Sequence, residues 1–309
     1  MPEKNFKGIP ASDGIAIGPV FCYIPAELTV PIRAARSAEE ELSRFDAARE
    51  RARVELQGLY DAIEKRAGKE EAAIFEAHRE MLNDPALEGR LRELVEIGQT
   101  VEQAVVNATD ELASLLACME DELFAARALD VKDVGRRVLR ILLGLPDTAL
   151  SAVTEPSIII AEDLTPSDTA SLDPARTLGF VTAQGGLTSH SAILARTLGI
   201  SAIVGMGNSL LEHASNGAVI VMDGRTGEMI LEPNQETITR YKQVKTQRES
   251  QLQVFKSAAQ QEARTANGRR VEVAANVGEI ASARDAMENG AEGIGLLRTE
   301  FLYLEDAQP

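Results

Sequence analysis

Cysteine is scarce. Cys22 and Cys118 are the two in 309 residues, far apart and without a partner pattern. That excludes a disulfide framework, and two free thiols, read as small apolar side chains, fit a reducing cytoplasm. Long hydrophobic runs are missing, and the start from Met1 to Lys7 is polar and charged, so neither a membrane span nor a secretory leader is expected. Basic residues are in the minority, 32 Lys and Arg against 48 Asp and Glu, for a formal net charge of −16. This balance argues against nucleic acid as a partner and permits a protein partner with a positive face. Histidine is rare too: His78, His190 and His213 are the three. No GxxxxGK[ST] phosphate loop occurs. What is present, 44% hydrophobic and 26% charged residues, suffices for two or three soluble domains.

Four textures follow one another. Residues 1 to about 33 read as short extended pieces, because Gly8, Gly14 and Gly18 punctuate Ile15, Ile17, Val20 and Phe21 while Pro10, Pro19 and Pro25 block a helix. From Ser37 to about Leu143 the chain is rich in Ala, Glu, Leu and Arg. Ser37 with Glu40 forms a capping-box pair, and Leu42, Phe45, Ala48, Val54, Leu56 and Leu59 recur at helical spacing behind it. Further helices are expected through Ile74, His78 and Leu82 up to the turn at Asn83-Asp84-Pro85, then over 91–97, 101–116 and 131–143. The block 34–147 reads as an all-helical bundle or double hairpin.

After Asp147 the pattern alternates between α and β. Strands are expected over 157–161, 177–181, 202–204 and 218–222, a short helix over 166–171, and a helix behind His190. The simplest topology joins 1–33 and 148–232 into one discontinuous α/β domain, with the helical block inserted on one face. Residues 233–263 form one long polar helix whose apolar face is thin, as in a helix that bridges domains. Residues 264–309 carry a β-α-β pattern too short for a sheet with both faces covered, and read as the start of a larger domain.

The chemistry concentrates at Gly185-Gly186-Leu187-Thr188-Ser189-His190, which runs directly into the amphipathic stretch Ser191-Ala192-Ile193-Leu194-Ala195-Arg196. Glycines let a backbone approach a ligand closely. The free N–H groups at a helix start and the positive end of its dipole favour an anion and a neutral imidazole. The combination suits a histidine that accepts and donates a phosphoryl group. His213, after a Leu-Leu pair, reads as a surface histidine, and His78 as either a boundary core residue or part of a binding face.

The string GGLTSHSAILARTLGI followed by SAIVG resembles the phosphohistidine motif of the family that moves phosphate from phosphoenolpyruvate. Within that family the resemblance falls on enzyme I of the bacterial phosphoenolpyruvate:sugar phosphotransferase system. The opening KGIPASDGIAIG, the helical strings IFEAH (74–78) and ALDVKDVGRR (128–137), and GAEGIGLLRTEF (290–301) are similar to enzyme I strings. The match thus touches nearly the whole chain.

The resemblance implies an α/β phosphohistidine (swivelling) domain, an inserted helical subdomain that docks the carrier HPr, a linker helix hinged near Pro233 and Ala263, and the start of a (β/α)8 barrel. It implies His190 as phosphoryl acceptor through Nε2, and Thr169, in the family string 163–169, as the hydroxyl that orients the imidazole. Gly185, Gly186, Thr188 and Ser189 would shape the phosphate loop. Arg196 would bind phosphate or pair with an acid. His78 and Arg127 would lie on the docking face, and Arg298 would grip the phosphate of phosphoenolpyruvate. Acidic residues outnumber basic ones by nine within 34–147, which suits a carrier with a basic face. The complete enzyme would use Mg2+ and form a homodimer. The magnesium-binding carboxylates, a second arginine and a catalytic cysteine would lie beyond Pro309, so these residues alone are expected to support only the reversible exchange with HPr. Three other readings stand beside this one: a dikinase-type histidine domain, a regulatory phosphate-relay module, and a hydrolase built on Ser191.

Overall fold

The computed structural model describes residues 3–25, 28–119, 122–146, 150, 153–278 and 280–299. Asp147, where the sequence turns to alternating α and β, lies outside the described residues, as do Glu300, Phe301 and Pro309. Contacts divide the chain into two compact units, Met1–Ile238 and Thr239–Pro309.

In the first unit, three early strands, β1 (Lys4–Lys7), β2 (Ile9–Ser12) and β3 (Ile15–Tyr23), precede five helices: α1 (Ala38–Ala67), α2 (Lys69–Met81), α3 (Pro85–Glu96), α4 (Val101–Ala117) and α5 (Glu122–Leu142). There follow β4 (Ser157–Ala161), α6 (Pro166–Ala170), β5 (Thr177–Thr182), α7 (His190–Leu198), β6 (Ser201–Val204), α8 (Ser209–His213), β7 (Val219–Asp223) and β8 (Glu228–Leu231). The strands join in the order β1-β8-β7-β3-β4-β5-β6-β2. Strands β3 to β6 run parallel in the middle, and β7, β8, β1 and β2 add antiparallel flanks. Strand β3 serves both halves: Ile15–Pro19 pair with β7 and Val20–Tyr23 with β4. The early strands therefore complete the later α/β layer.

Alternation along β4 shows why the layer is buried on both sides. Ile159 and Ala161 face a core with Ala192 and Ala195 of α7, whereas Ile158 and Ile160 face a second core with Leu210 of α8 and Met222 of β7. The helical insertion has its own core of Phe45, Ala52, Leu56, Phe75, Leu91, Val105 and Val138, and that core also takes in Ala170 of α6 and Leu194 of α7. The histidine helix is thus packed on the sheet with one stripe and on the helical insertion with another.

Several local expectations are met for identifiable reasons. Ser37 and Glu40 form both bonds of the capping box, and α1 ends at Gly68. Three differences have physical causes. Val54 is exposed, because the buried stripe of α1 runs through Phe45, Ala48, Ala52, Leu56 and Ile63. The turn at Asp84-Pro85 is also a helix start: the Asp84 carboxylate accepts from the N–H groups of Ala86 and Leu87, with proline at N1, so α3 begins six residues before Leu91. Helix α5 reaches back past Val131 to Glu122, and close approach to α4 is made at Gly135, where a Cβ would fall 2.4 Å from a Thr109 methyl. The sequence reading also lacked β8 and α8, each too short to show a period.

Helix α9 (Gln235–Ala258) opens where the first unit ends. The second unit pairs β9 (Ala274–Val277) with β10 (Gly293–Leu297) in parallel, with α10 (Ile280–Glu288) between them. That is one β-α-β unit, in the order the sequence predicts.

Candidate phosphohistidine site

Strand β5 delivers the chain to the loop 183–189, and α7 carries it away. Gly185 takes φ +93, a conformation that side chains other than hydrogen resist, and its neighbour Gly205 donates to the Gln184 carbonyl at 3.0 Å. Ser189 is the N-cap of α7. Its hydroxyl accepts from Ala192 N–H at 3.3 Å and donates to the Gly186 carbonyl at 2.8 Å. Arg196, two turns along α7, donates from Nη2 to the Leu187 carbonyl at 2.9 Å. One cap and one guanidinium therefore close the loop into a fixed shape. Gly186 has ordinary φ and nothing within 4 Å of a built Cβ. Gly185→Ala is accordingly expected to lose about 1–3 kcal/mol to backbone strain, whereas Gly186→Ala stays within about 0.5 kcal/mol of the parent. Thermal melts of both variants check this contrast, and equal losses would contradict it.

His190 occupies the first helical position and is half-buried. Among the described residues no side chain or backbone group hydrogen-bonds its ring, and its own N–H and that of Ser191 precede the first capped donor, Ala192. The ring is therefore neither walled off nor pinned at both nitrogens. It stands where the helix N-terminus stabilises added negative charge. Ser191 is 1% exposed with its hydroxyl 3.1 Å from that of Ser189, so it is no candidate for an exposed nucleophile.

Comparison with known proteins gives this geometry a family. Three family models match in chain order: "PEP-utilising enzyme, N-terminal" over residues 7–127, "PEP-utilising enzyme, mobile domain" over 153–227, and "PEP-utilising enzyme, PEP-binding domain" over 252–309. A solved solution structure of an enzyme I protein (nEIt) is 38% identical, with TM-score 0.64, covering 79% of this chain and 99% of that one. The chain belongs to the enzyme I family of PEP-utilising enzymes. Curated relatives named phosphoenolpyruvate-protein phosphotransferase include one from Bacillus sp. (strain S), 39% identical over 303 residues, and one from Geobacillus stearothermophilus, 40% identical over 306. The alignments cover 98% of this chain and 52% of each relative, so the chain spans about half the length of the curated relatives it matches. The N-terminal domain of a second solved protein, "Enzyme 1 - Nitrogen", is 27% identical with TM-score 0.53, covering 77% of this chain and 98% of that one.

The other expected site residues have differing surroundings. Thr188 is exposed in the loop beside Ser189. Thr169 is fully buried on α6, which packs against α7, but its hydroxyl donates to the Thr165 carbonyl at 3.0 Å and not to the imidazole. This is the back-bond that a threonine in a helix makes to its preceding turn. His78 is not on a docking face. It is wholly buried, edge-on to Phe75, and lies on the core side of the choice the sequence left open. Arg127 is exposed on α5, next in sequence to buried Ala128. Arg298 follows β10 in the second unit, exposed, with its backbone N–H bonded to the Val277 carbonyl at 2.8 Å. His213 is exposed, with Nδ1 2.7 Å from the Ser209 carbonyl.

Two carboxylates near the site escaped the sequence reading. Asp163 Oδ1 lies 3.6 Å from where a Cβ on Gly185 would sit, and burial pushes its carboxyl up while the Leu164 N–H acts in the other sense. Asp168 is raised by burial against the hydrogen bond it accepts from the Tyr23 hydroxyl at 2.7 Å, with Asp133 nearby adding to the rise. Both belong to the string 163–169 quoted for the family resemblance, but nothing in a linear sequence tells which of its carboxylates will be enclosed. Among the described residues no three His, Cys, Asp or Glu side chains converge as metal ligands, and none of the helices is long and apolar enough to cross a membrane.

Proposed function

We propose that this chain carries a phosphoryl group on His190 and exchanges it reversibly with the small carrier HPr, as one half of a phosphoenolpyruvate-protein phosphotransferase. The observation that carries the reading is the free imidazole of His190 at the first turn of α7, beside a loop held by Ser189 and Arg196. The lone pair of Nε2 attacks phosphorus, and the bond from phosphorus to the carrier breaks with its electron pair leaving on the carrier. Developing charge on the phosphoryl oxygens is met by the His190 and Ser191 N–H groups and the dipole of α7. Little else is asked of the protein, since phosphoryl transfer depends mainly on placement and charge stabilisation.

The roles of the remaining residues are part of this proposal. Thr188 and Ser189 line the phosphate side of the loop, and Gly185 and Gly186 give the phosphoryl group close access. Thr169 orients the imidazole only after a rotation of its side chain that gives up the Thr165 carbonyl. The helical insertion is the docking surface: Leu115, Met119 and Leu129 are exposed on α4, just after it, and on α5, with Arg127 alongside on α5. Exposed apolar side chains set in an acidic surface fit a carrier with an apolar patch rimmed by basic residues. In the complete protein the donor is phosphoenolpyruvate, Arg298 reads its phosphate at the C-terminal end of a barrel strand, the unit 239–309 opens that barrel, and α9 lets the histidine domain swivel between its two partners. Magnesium and a homodimer belong to that complete protein.

The test is transfer in both directions. HPr carrying labelled phosphate should label this chain, and excess unlabelled HPr should then remove the label. A chain that stays unlabelled, or a label that cannot be chased, would contradict the proposal.

A further inference from the structure

His78 is fully buried on α2 and, among the described residues, neither ring nitrogen is in a hydrogen bond, an arrangement that native interiors rarely keep. Nε2 lies 3.3 Å from Asp130 Oδ1, out of alignment, and Nδ1 lies 3.8 Å from Asp133 Oδ2. Both carboxylates belong to α5 and are themselves buried. The same Asp133 Oδ2 accepts from the Ser167 hydroxyl at 2.7 Å. Ser167 sits on α6, two residues before Thr169, and α6 packs against the helix that begins at His190. Asp168, between them, closes the capping box of α6 with Thr165 and takes the Tyr23 hydroxyl of β3. A line of polar side chains thus runs from the middle of the helical insertion to the wall behind the phosphohistidine, through an otherwise apolar seam that includes Ala170 and Leu194.

We propose that His78 is a positioning residue: with Asp133 it holds Ser167, and through Ser167 it fixes α6 and Thr169 against the His190 helix. The claim rests on His190 being the phosphoryl acceptor. Apolar contact alone lets α6 slide along α7, because such contact is non-directional. A directional bond from Ser167 to a buried carboxylate of α5, itself 3.8 Å from the His78 ring, defines one register. Buried polar groups, although costly, are retained where they select one arrangement among several.

Phosphoramidate, a small phosphoryl donor that needs no docking, separates this claim from the choice of carrier. Intact mass spectrometry of the full chain follows its labelling in the parent, His78→Gln, Ser167→Ala, the double variant, Ser167→Thr, and Val105→Ala as a core variant away from the polar line. Ser167→Ala and His78→Gln should each slow labelling about tenfold, in line with the sensitivity of transfer to small misplacement. The double variant should be no slower than the slower single, since both act on one element. Ser167→Thr, which keeps the hydroxyl, should restore the rate to within about threefold of the parent, and Val105→Ala should stay within about twofold despite its lower Tm. With phosphorylated HPr as donor, kcat should fall in Ser167→Ala while KM stays constant. Ser167→Ala labelling at the parent rate would overturn the proposal, as would multiplying losses in the double variant or a Val105→Ala chain as slow as the others. An unlabelled parent would overturn the phosphohistidine reading and this proposal together, whereas labelling by phosphoramidate without transfer from HPr would remove the carrier and support the positioning claim if the variant pattern holds.

Discussion

His190→Ala is expected to abolish labelling of the chain by phosphorylated HPr, with no residual slow phase. The reason lies in the neighbours. Ser191 is buried, Ser189 has its hydroxyl engaged by the Gly186 carbonyl and the Ala192 N–H, and His78 is enclosed in the helical core. His213 lies on α8, with its Nδ1 at the Ser209 carbonyl. Among the described residues no second imidazole stands at the loop, and the Thr188 hydroxyl is a far weaker nucleophile than an imidazole. Stability should change by about 0.5 kcal/mol or less, because the ring is half-exposed and makes no hydrogen bond among the described residues. Circular dichroism melts on the same sample distinguish loss of the acceptor from loss of the fold. Label retained in the variant would remove His190 from the mechanism.

The second large effect concerns the entry to the helical insertion. Glu41, near the start of α1, is fully buried and is bonded by Arg33 Nη1 at 2.5 Å, Arg33 Nη2 at 2.6 Å, the Val101 N–H at 3.1 Å and the Arg36 N–H at 2.9 Å. Glu102 on α4 completes the cluster, joined to Arg33 at 2.5 Å and Arg44 at 2.6 Å. The segment that precedes α1, α1 itself and α4 meet at these four side chains. Glu41→Ala leaves two guanidinium groups and two N–H groups short of an acceptor, and should cost about 3–5 kcal/mol.

The same cluster predicts a pH dependence. Hydrogen bonds from Arg33 hold the Glu41 carboxyl well below the usual range, outweighing burial, with the Arg36 and Val101 N–H groups adding to the effect. Glu102 is lowered too: burial opposes the change, and the bonds from Arg44 and Arg33 overcome it. A carboxyl depressed in the folded state stabilises it fully above its unfolded value of about 4.3. That stabilisation fades as pH falls from there toward the folded-state value. Tm should therefore drop steeply below about pH 4 in the parent, and the acid limb should be shallower in Glu41→Gln. Parallel acid limbs in the two proteins would show that the cluster contributes nothing.

The sequence disclosed the parts whose signal is local. A capping serine three residues before Glu40 fixed the start of α1, the Ile158-Ile159-Ile160 run marked a strand buried on both faces, and the glycine pair before Thr188, Ser189 and His190 marked the phosphate loop. What it hid depends on contacts between distant segments. The stripe of α1 runs through Ala52, not Val54, because its position is set by what packs on it. The burial of His78 could not be read, since a histidine on an apolar helical line serves a core and a surface equally well. The bond of Ser167 to Asp133 joins residues 34 apart in the chain. Arg196 was legible as a partner for an anion, and its bond to the Leu187 carbonyl could be found only once the loop had a shape.

The proposed function turns on one covalent bond, between phosphorus and a nitrogen of His190. The most direct test is to trap the labelled chain after exposure to phosphorylated HPr and map the modified atom by tandem mass spectrometry and phosphorus NMR at alkaline pH. The account predicts a single phosphorus on His190, attached at Nε2, lost in acid and stable in base. An acid-stable phosphate ester on Thr188 or Ser189, or phosphate on His213, would contradict it.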